Sequence, residues 1–293
     1  MTEADTQLPT QPTPKADLEE TWAFLHVGID RLFTEGLDHF DYMRLYSTIY
    51  NYCTSLPDAQ ACSTNVYVKL KEYLATRLGS TGEVKIPLKS IRFKLIYILL
   101  QRILKLRGKE VLRHYVDEWD HYTRGASHLN RLFTYPDRVL KREREKGNTD
   151  TLPIYTLALV QWKERVFLPL QQQEITLTTL ILDLIEQDRN GCDIDQTLIK
   201  DVLSSFASLG IDENDFGRKC FDVYRAHFLE PFLTTTKDYY EKKSFGSSDT
   251  HVNWLQSEET RIDSYVCPDT DIRDEILSKC VDVVRGKTEQ ETE

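Results

Sequence analysis

Tyr42-Met43-Arg44-Leu45-Tyr46-Ser47-Thr48-Ile49-Tyr50-Asn51-Tyr52-Cys53-Thr54 is the stretch whose periodicity decides how the rest of the chain is read. Wound at about 3.6 residues per turn, it spreads Tyr42, Met43, Leu45, Tyr46, Ile49, Tyr50, Tyr52 and Cys53 over roughly 180° of a helix. A helix docked on one core needs an apolar stripe of little more than about 100°. The surplus is sorted by chemistry: Leu45, Ile49 and Tyr52 lie at one edge, and Met43, Tyr46 and Tyr50 at the other. Aliphatic side chains suit a core. Tyr and Met are enriched where two proteins meet, because they offer a large area with a polar tip or an adaptable thioether. The stretch therefore reads as a helix packed inward on one edge and offered to a partner on the other. A helix sandwiched between two neighbours of its own chain satisfies the same periodicity.

Outward from this stretch the helical period persists. Leu18, Trp22, Leu25, Ile29, Leu32 and Phe33 step by four and three behind Asp17, a candidate N-cap. Val66, Leu70, Tyr73, Leu74 and Leu78 continue up to Gly79, and Val111, Leu112, Tyr115, Trp119 and Tyr122 resume the pattern until Gly125, where an interruption is expected. Residues 152–170 form an apolar helix with Trp162, expected to stop near Pro169. Further helical series run through Leu177–Ile185, through Leu198–Leu209, through the aromatic set Phe216, Phe221, Tyr224, Phe228, Phe232 and Tyr239, and from Val252 to about Val284 with a break at Cys267-Pro268. No alternating strand pattern or hairpin dipeptide interrupts them, so the fold class is all-α. Gly147-Asn148-Thr149-Asp150 and Phe245-Gly246-Ser247-Ser248-Asp249 read as loops.

Composition narrows the function classes. A formal net charge of -10 argues against nucleic acid as the main partner. The six cysteines are scattered without a C-x-x-C pair, which points to reduced thiols in an intracellular protein. The N-terminus is acidic and lacks an apolar core of the kind a secretory signal requires. Around Leu95-Ile96-Tyr97-Ile98-Leu99-Leu100 a strongly basic segment runs from about 83 to 109, but its apolar run is far short of the roughly 18 residues of a membrane span.

Motifs for catalysis are absent: there is no G-x-S-x-G, phosphate loop or H-E-x-x-H, and neither cofactor nor metal is implied. His114, His121 and His128 recur every seventh residue, too far apart on a helix for two rings to reach one ion. Asp188-Arg189-Asn190-Gly191-Cys192-Asp193-Ile194-Asp195 misplaces the glycine and the closing glutamate of a calcium loop, and reads as a turn before a helix favoured by Asp193 and Asp195.

Four stretches resemble the N-terminal region of cullins, in the class that scaffolds SCF-type ubiquitin ligases: Asp17 to Trp22, Tyr42 to Thr54, Leu157 to Leu170, and Ile185 to Gly191. They occur in the family's order from about residue 17 to about 285. The resemblance implies an elongated array of helical cullin repeats, with a disordered lead-in at 1–16, a first, adaptor-binding repeat at 17–147, a second repeat at 151–285 and a polar tail at 286–293. It implies a non-catalytic scaffold in the cytoplasm and nucleus that holds a Skp-type, BTB-fold adaptor with its F-box protein for ubiquitin-dependent protein catabolism. Carried residue by residue, it assigns adaptor contacts to Tyr42, Met43, Tyr46, Ile49 and Tyr50 on one helix, and to Tyr135, Arg138 and Arg142 on a second wall. That wall departs from the family at Pro136, a potential kink, and at Leu140, where a tryptophan is common. The basic segment at 83–109 departs as well. The family's third repeat and RING-binding domain have no counterpart in these residues, which leads to the expectation of no RING subunit and of a fragment or a competing short form. The alternative class is a helical tether whose basic segment binds a membrane or an acidic partner.

Overall fold

The computed structural model describes residues 8–55, 57–79, 108–147, 151–212, 220–242, 248–265 and 273–280. Their regular structure is helical, and no strand forms among them. In chain order the helices are α1 (Leu18–Thr34), α2 (His39–Ser55), α3 (Ala59–Leu78), α4 (Lys109–Leu132), α5 (Thr134–Glu145) and α6 (Ile154–Trp162), the last continued by a π-helical turn at Lys163–Phe167. They are followed by α7 (Leu168–Gln171), α8 (Leu177–Arg189), α9 (Gln196–Ser208), the short α10 (Asp222–Tyr224) with a second π turn at Arg225–Leu229, α11 (Glu230–Lys242) and α12 (Ser248–Tyr265). They divide into two compact units. One holds α1–α3, α4 from Glu118 on, α5 and α6 through Phe167; the other holds α4 up to Asp117 and the helices from Leu168 onward. The basic segment up to residue 107, Phe216, residues 245–247 of the expected loop, the break at Cys267-Pro268 and the polar tail lie outside the described residues, while Ser248 and Asp249 of that loop open α12 instead.

In the first unit, local chemistry starts α1 where the sequence suggests, and a second capping aspartate starts α3. Asp17 accepts the Glu20 N–H at 2.9 Å and Asp58 accepts the Ala61 N–H at 2.9 Å, each satisfying a donor that the first helical turn leaves unpaired. Gly79 ends α3 at φ 106°, a conformation open to glycine. The core is aromatic. Trp162 meets Trp119 at 5.6 Å and Tyr122 at 4.8 Å between ring centroids, Phe33 stacks on Tyr122 at 5.8 Å, and the Tyr122 hydroxyl donates to the Ala158 carbonyl at 2.8 Å.

Gly125 does not interrupt α4, contrary to expectation, and its reason for being there is steric. A Cβ at this position would overlap the ring of Phe33, which is 1% exposed and held between Tyr122 and the Arg77 guanidinium. Gly→Ala inside a helix ordinarily gains about 1 kcal/mol. Here Gly125→Ala is expected instead to lose about 1–2 kcal/mol through overpacking, read as a lower urea midpoint; a raised midpoint would show that Phe33 can move aside.

Pro136 sits in the first turn of α5, where its missing N–H costs no intrahelical bond. In a continuous helix its ring would meet the carbonyl of Leu132, the last residue of α4, so the chain breaks at Phe133 and restarts. Prolines explain the two π turns in the same way, since each lies just ahead of one, Pro169 or Pro231, and widens the turn whose carbonyl the ring would strike. The helix therefore passes Pro169 and runs to Gln171. The His227 carbonyl, which Pro231 cannot bond, accepts the Thr178 hydroxyl at 2.6 Å.

Residues 8–16, part of the expected disordered lead-in, lie along α2. Leu8 and Ala16 are buried, Gln11 Nε2 donates to Ser47 Oγ at 3.0 Å and Thr48 Oγ1 at 3.1 Å, and Arg44 donates to the Pro9 carbonyl at 2.6 Å.

The second unit is centred on a buried ionic network. Arg189, at the end of α8, grips Glu258 of α12 with two bonds of 3.0 Å and donates to Thr236 Oγ1 at 2.6 Å. Its guanidinium lies 5.4 Å from the ring centroids of Phe232 and Tyr239. Glu258 also accepts from the Tyr240 hydroxyl at 2.7 Å and from Arg261 at 2.9 Å, and Arg261 continues to Asp188 at 2.7 Å. Burial, then the Glu258 charge, pushes the Tyr240 phenol up and keeps it a donor. The turn after α8 is followed by α9, whose first turn is capped by Asp195 through the Leu198 N–H at 3.3 Å.

Candidate functional site

The site is built on α2, and the position of each side chain follows from what the helix must bury. Leu45 (0% exposed) lies over Gly28 of α1, where no Cβ would fit, and Tyr52 and Cys53 complete the core edge. Asp41 fixes the first turn to α1 through Arg31 at 2.9 Å. Gln11 and Pro9 cover the polar strip of Arg44, Ser47 and Thr48. What remains uncovered is the Tyr–Met edge: Met43 is 44% exposed, Tyr50 is 43% exposed, and Tyr42 and Tyr46 are half-buried.

Ile49 is placed otherwise. It is 1% exposed, inside the core, because it shares the aliphatic edge with Leu45 and Tyr52, so it cannot touch a docked protein directly. Phe40, absent from the expected contacts, is the most exposed large apolar side chain on this face at 71%. Its signal is its place at three residues before Met43 on the same stripe.

The second wall joins the first through one aromatic pair. Tyr135, in the first turn of α5, meets Tyr50 edge-on with ring centroids 5.0 Å apart. Arg138 and Arg142 follow three and seven residues later on the same helical face, both exposed and without a carboxylate partner among the described residues. Pro136 and Leu140, the departures from the family pattern, are buried on the opposite side. Asp137 accepts from Arg144 at 2.9 Å and so ties down α5 across two turns.

At its N-terminal end the face runs into a cleft of about 570 Å³ between the α1–α2 loop and α4. Tyr42 lines it together with His121, His128 and Arg131. Burial pushes the Tyr42 phenol above its ordinary value while the Arg131 guanidinium pulls it the other way. His121 bonds the Phe33 carbonyl, and His114, His121 and His128 all lie on the single helix α4. Among the described residues no group of three His, Cys, Asp or Glu side chains is arranged to hold a metal ion, and no helix is long and apolar enough to cross a membrane. The arrangement offers an apolar, aromatic strip with a basic border, suited to holding another protein.

Residues 22–289 match the model of the cullin alpha solenoid domain. Cullin-1 of Dictyostelium discoideum is 30% identical over 96% of this chain and 37% of its own length. Cullin-1 of Caenorhabditis elegans is 27% identical over 84% of this chain and 33% of its own, and cell division control protein 53 of Saccharomyces cerevisiae is 27% identical over 76% and 28%. The chain thus spans about a third of the length of these relatives. With most of its residues inside the domain match and its helices in the places the sequence implied, the chain belongs to the cullin family.

Proposed function

We propose that this chain is a non-catalytic scaffold segment of an SCF-type ubiquitin ligase, working in cytoplasm and nucleus, and that the α2–α5 face holds a Skp-type adaptor carrying an F-box protein. The observation that carries the reading is the concentration of exposed Phe40, Met43 and Tyr50 on one helix, continued by Tyr135 and bordered by Arg138 and Arg142. Aromatic and Met side chains flanked by arginine are the composition of protein interfaces, and a few central aromatic anchors usually carry most of the binding energy. The relatives named cullin-1 support the same direction. In this reading the helices supply position and catalysis belongs to other subunits, the benefit being a raised local concentration of reacting groups.

Titration calorimetry of the chain against a Skp-type adaptor bound to an F-box fragment tests the reading. Tyr46→Ala is expected to weaken binding by more than about 1 kcal/mol, roughly fivefold or more in Kd, with helicity unchanged. The double variant Tyr42→Ala/Tyr46→Ala should lose more. An unaltered dissociation constant in both would remove α2 from the interface.

A further inference from the structure

The cleft beside α2 carries chemistry that the aromatic strip does not explain. Its α4 wall presents Arg124, His128 and Arg131, spaced four and three residues apart on one helical face, and its α2 side adds His39 and Tyr42. Two acids also line it, Glu35 and Asp38. The Asp38 carboxylate accepts the Asp41 N–H at 2.7 Å and so is occupied in starting α2. Arg124 donates through Nε to the Asp120 carbonyl at 3.1 Å, and neither Arg124 nor Arg131 pairs with a carboxylate among the described residues. Many arginines elsewhere are engaged: Arg31, Arg44, Arg77, Arg113, Arg144, Arg189, Arg225, Arg261 and Arg273 all meet an Asp or Glu, whereas Arg138 and Arg142, on the neighbouring α5 face, share the lack of a carboxylate partner among the described residues.

In a chain of formal net charge -10, two exposed guanidinium groups without a carboxylate partner among the described residues line this cleft of about 570 Å³, and the fork of an arginine matches a carboxylate in two bonds. The cleft is also continuous with the docking face, because Tyr42 lines both, and Arg138 and Arg142 extend the same positive sign along α5. We infer that the cleft seats an acidic segment of the docked adaptor, with Arg124 and Arg131 taking Asp or Glu carboxylates and Tyr42 forming the hinge between apolar and ionic contact. This inference rests on the docking reading above. Its effect is on encounter rate and partner choice, since complementary charge at an interface border steers association and rejects partners of the wrong sign.

Calorimetry of the full chain with the same adaptor complex, at about 0.05 and about 0.3 M salt, separates the two ideas. Arg124→Gln/Arg131→Gln should weaken binding about tenfold at low salt and flatten the salt dependence, whereas Tyr46→Ala should weaken binding with the salt dependence kept. Wild-type binding that the double substitution leaves unchanged in strength and salt response would overturn the cleft's role while leaving the docking face standing. No binding by the folded wild type would overturn the docking reading and this occupant with it. A glutamate-rich hexapeptide followed by NMR provides the direct arm. It should move the resonances of Tyr42 and His128 in the wild type and not in the double variant, and inorganic phosphate producing the same shifts at equal concentration would overturn the assignment to a peptide.

Discussion

Arg189→Ala is expected to cost about 3–5 kcal/mol of stability, the range for breaking a buried ion pair by removing one partner. The side chains of Arg189 and Glu258 are 3% and 2% exposed, and the guanidinium holds Glu258 in two bonds of 3.0 Å while also holding Thr236. Alanine leaves a carboxylate in a dry interior with Arg261 and the Tyr240 hydroxyl as its remaining donors, and it empties the space between Phe232 and Tyr239. Urea denaturation with hydrogen exchange resolved by segment checks the effect: α8, α11 and α12 should lose protection together, since the network joins all three. The apolar double variant Arg189→Met/Glu258→Leu should lose less than the single alanine variant, because it removes the charge along with its partner. A loss below about 1 kcal/mol for Arg189→Ala would mean that water reaches Glu258 and that the pair is not a buried one.

Trp162→Ala should cost a similar amount, about 3–5 kcal/mol, by a different route. The indole is 0% exposed and packed against Trp119 and Tyr122, whose own hydroxyl is committed to the Ala158 carbonyl one turn away. Rings pinned in this way cannot collapse into the space left behind, so the cavity persists and its lining loses dispersion contacts as well as burial. Exchange protection should fall in α4 and α6 this time. Trp162→Phe should retain a large part of the loss, and a small effect for alanine would mean that Trp119 swings into the vacated volume.

The helices were legible because an apolar stripe with a turn-forming or capping residue at its edge is a local signal, and Asp17, Gly79 and Asp195 act where the spacing of their neighbours places them. The exposed edge of α2 was legible for the same reason, with Met43 and Tyr50 open to solvent as the chemistry of the arc suggests. Ile49 went the other way because carrying a family contact onto a position takes no account of which side of this helix is buried. Phe40 escaped because the periodic stretch was begun at Tyr42. The cleft joins side chains from α2 and α4 that only tertiary packing brings together, and the same holds for Gly125 under Phe33 and for the network around Arg189. Nor does composition distinguish a polar, proline-containing segment such as 8–16 that finds partners on α2 from one that finds none.

The π turns at Lys163–Phe167 and Arg225–Leu229 leave each of their helices with one residue more than its length in regular turns would hold. Elsewhere in these helices a one-residue deletion would rotate everything downstream by about 100° and carry the buried face out to solvent. Within either wide turn the same deletion can be absorbed as an ordinary helical turn, so Trp162, Phe167 and Leu170, or Tyr224, Phe228 and Phe232, can keep their bearings while the proline is left to find its own relief. Each of these two helices thus has one position where its length can change by a residue while the side chains before and after it keep their directions.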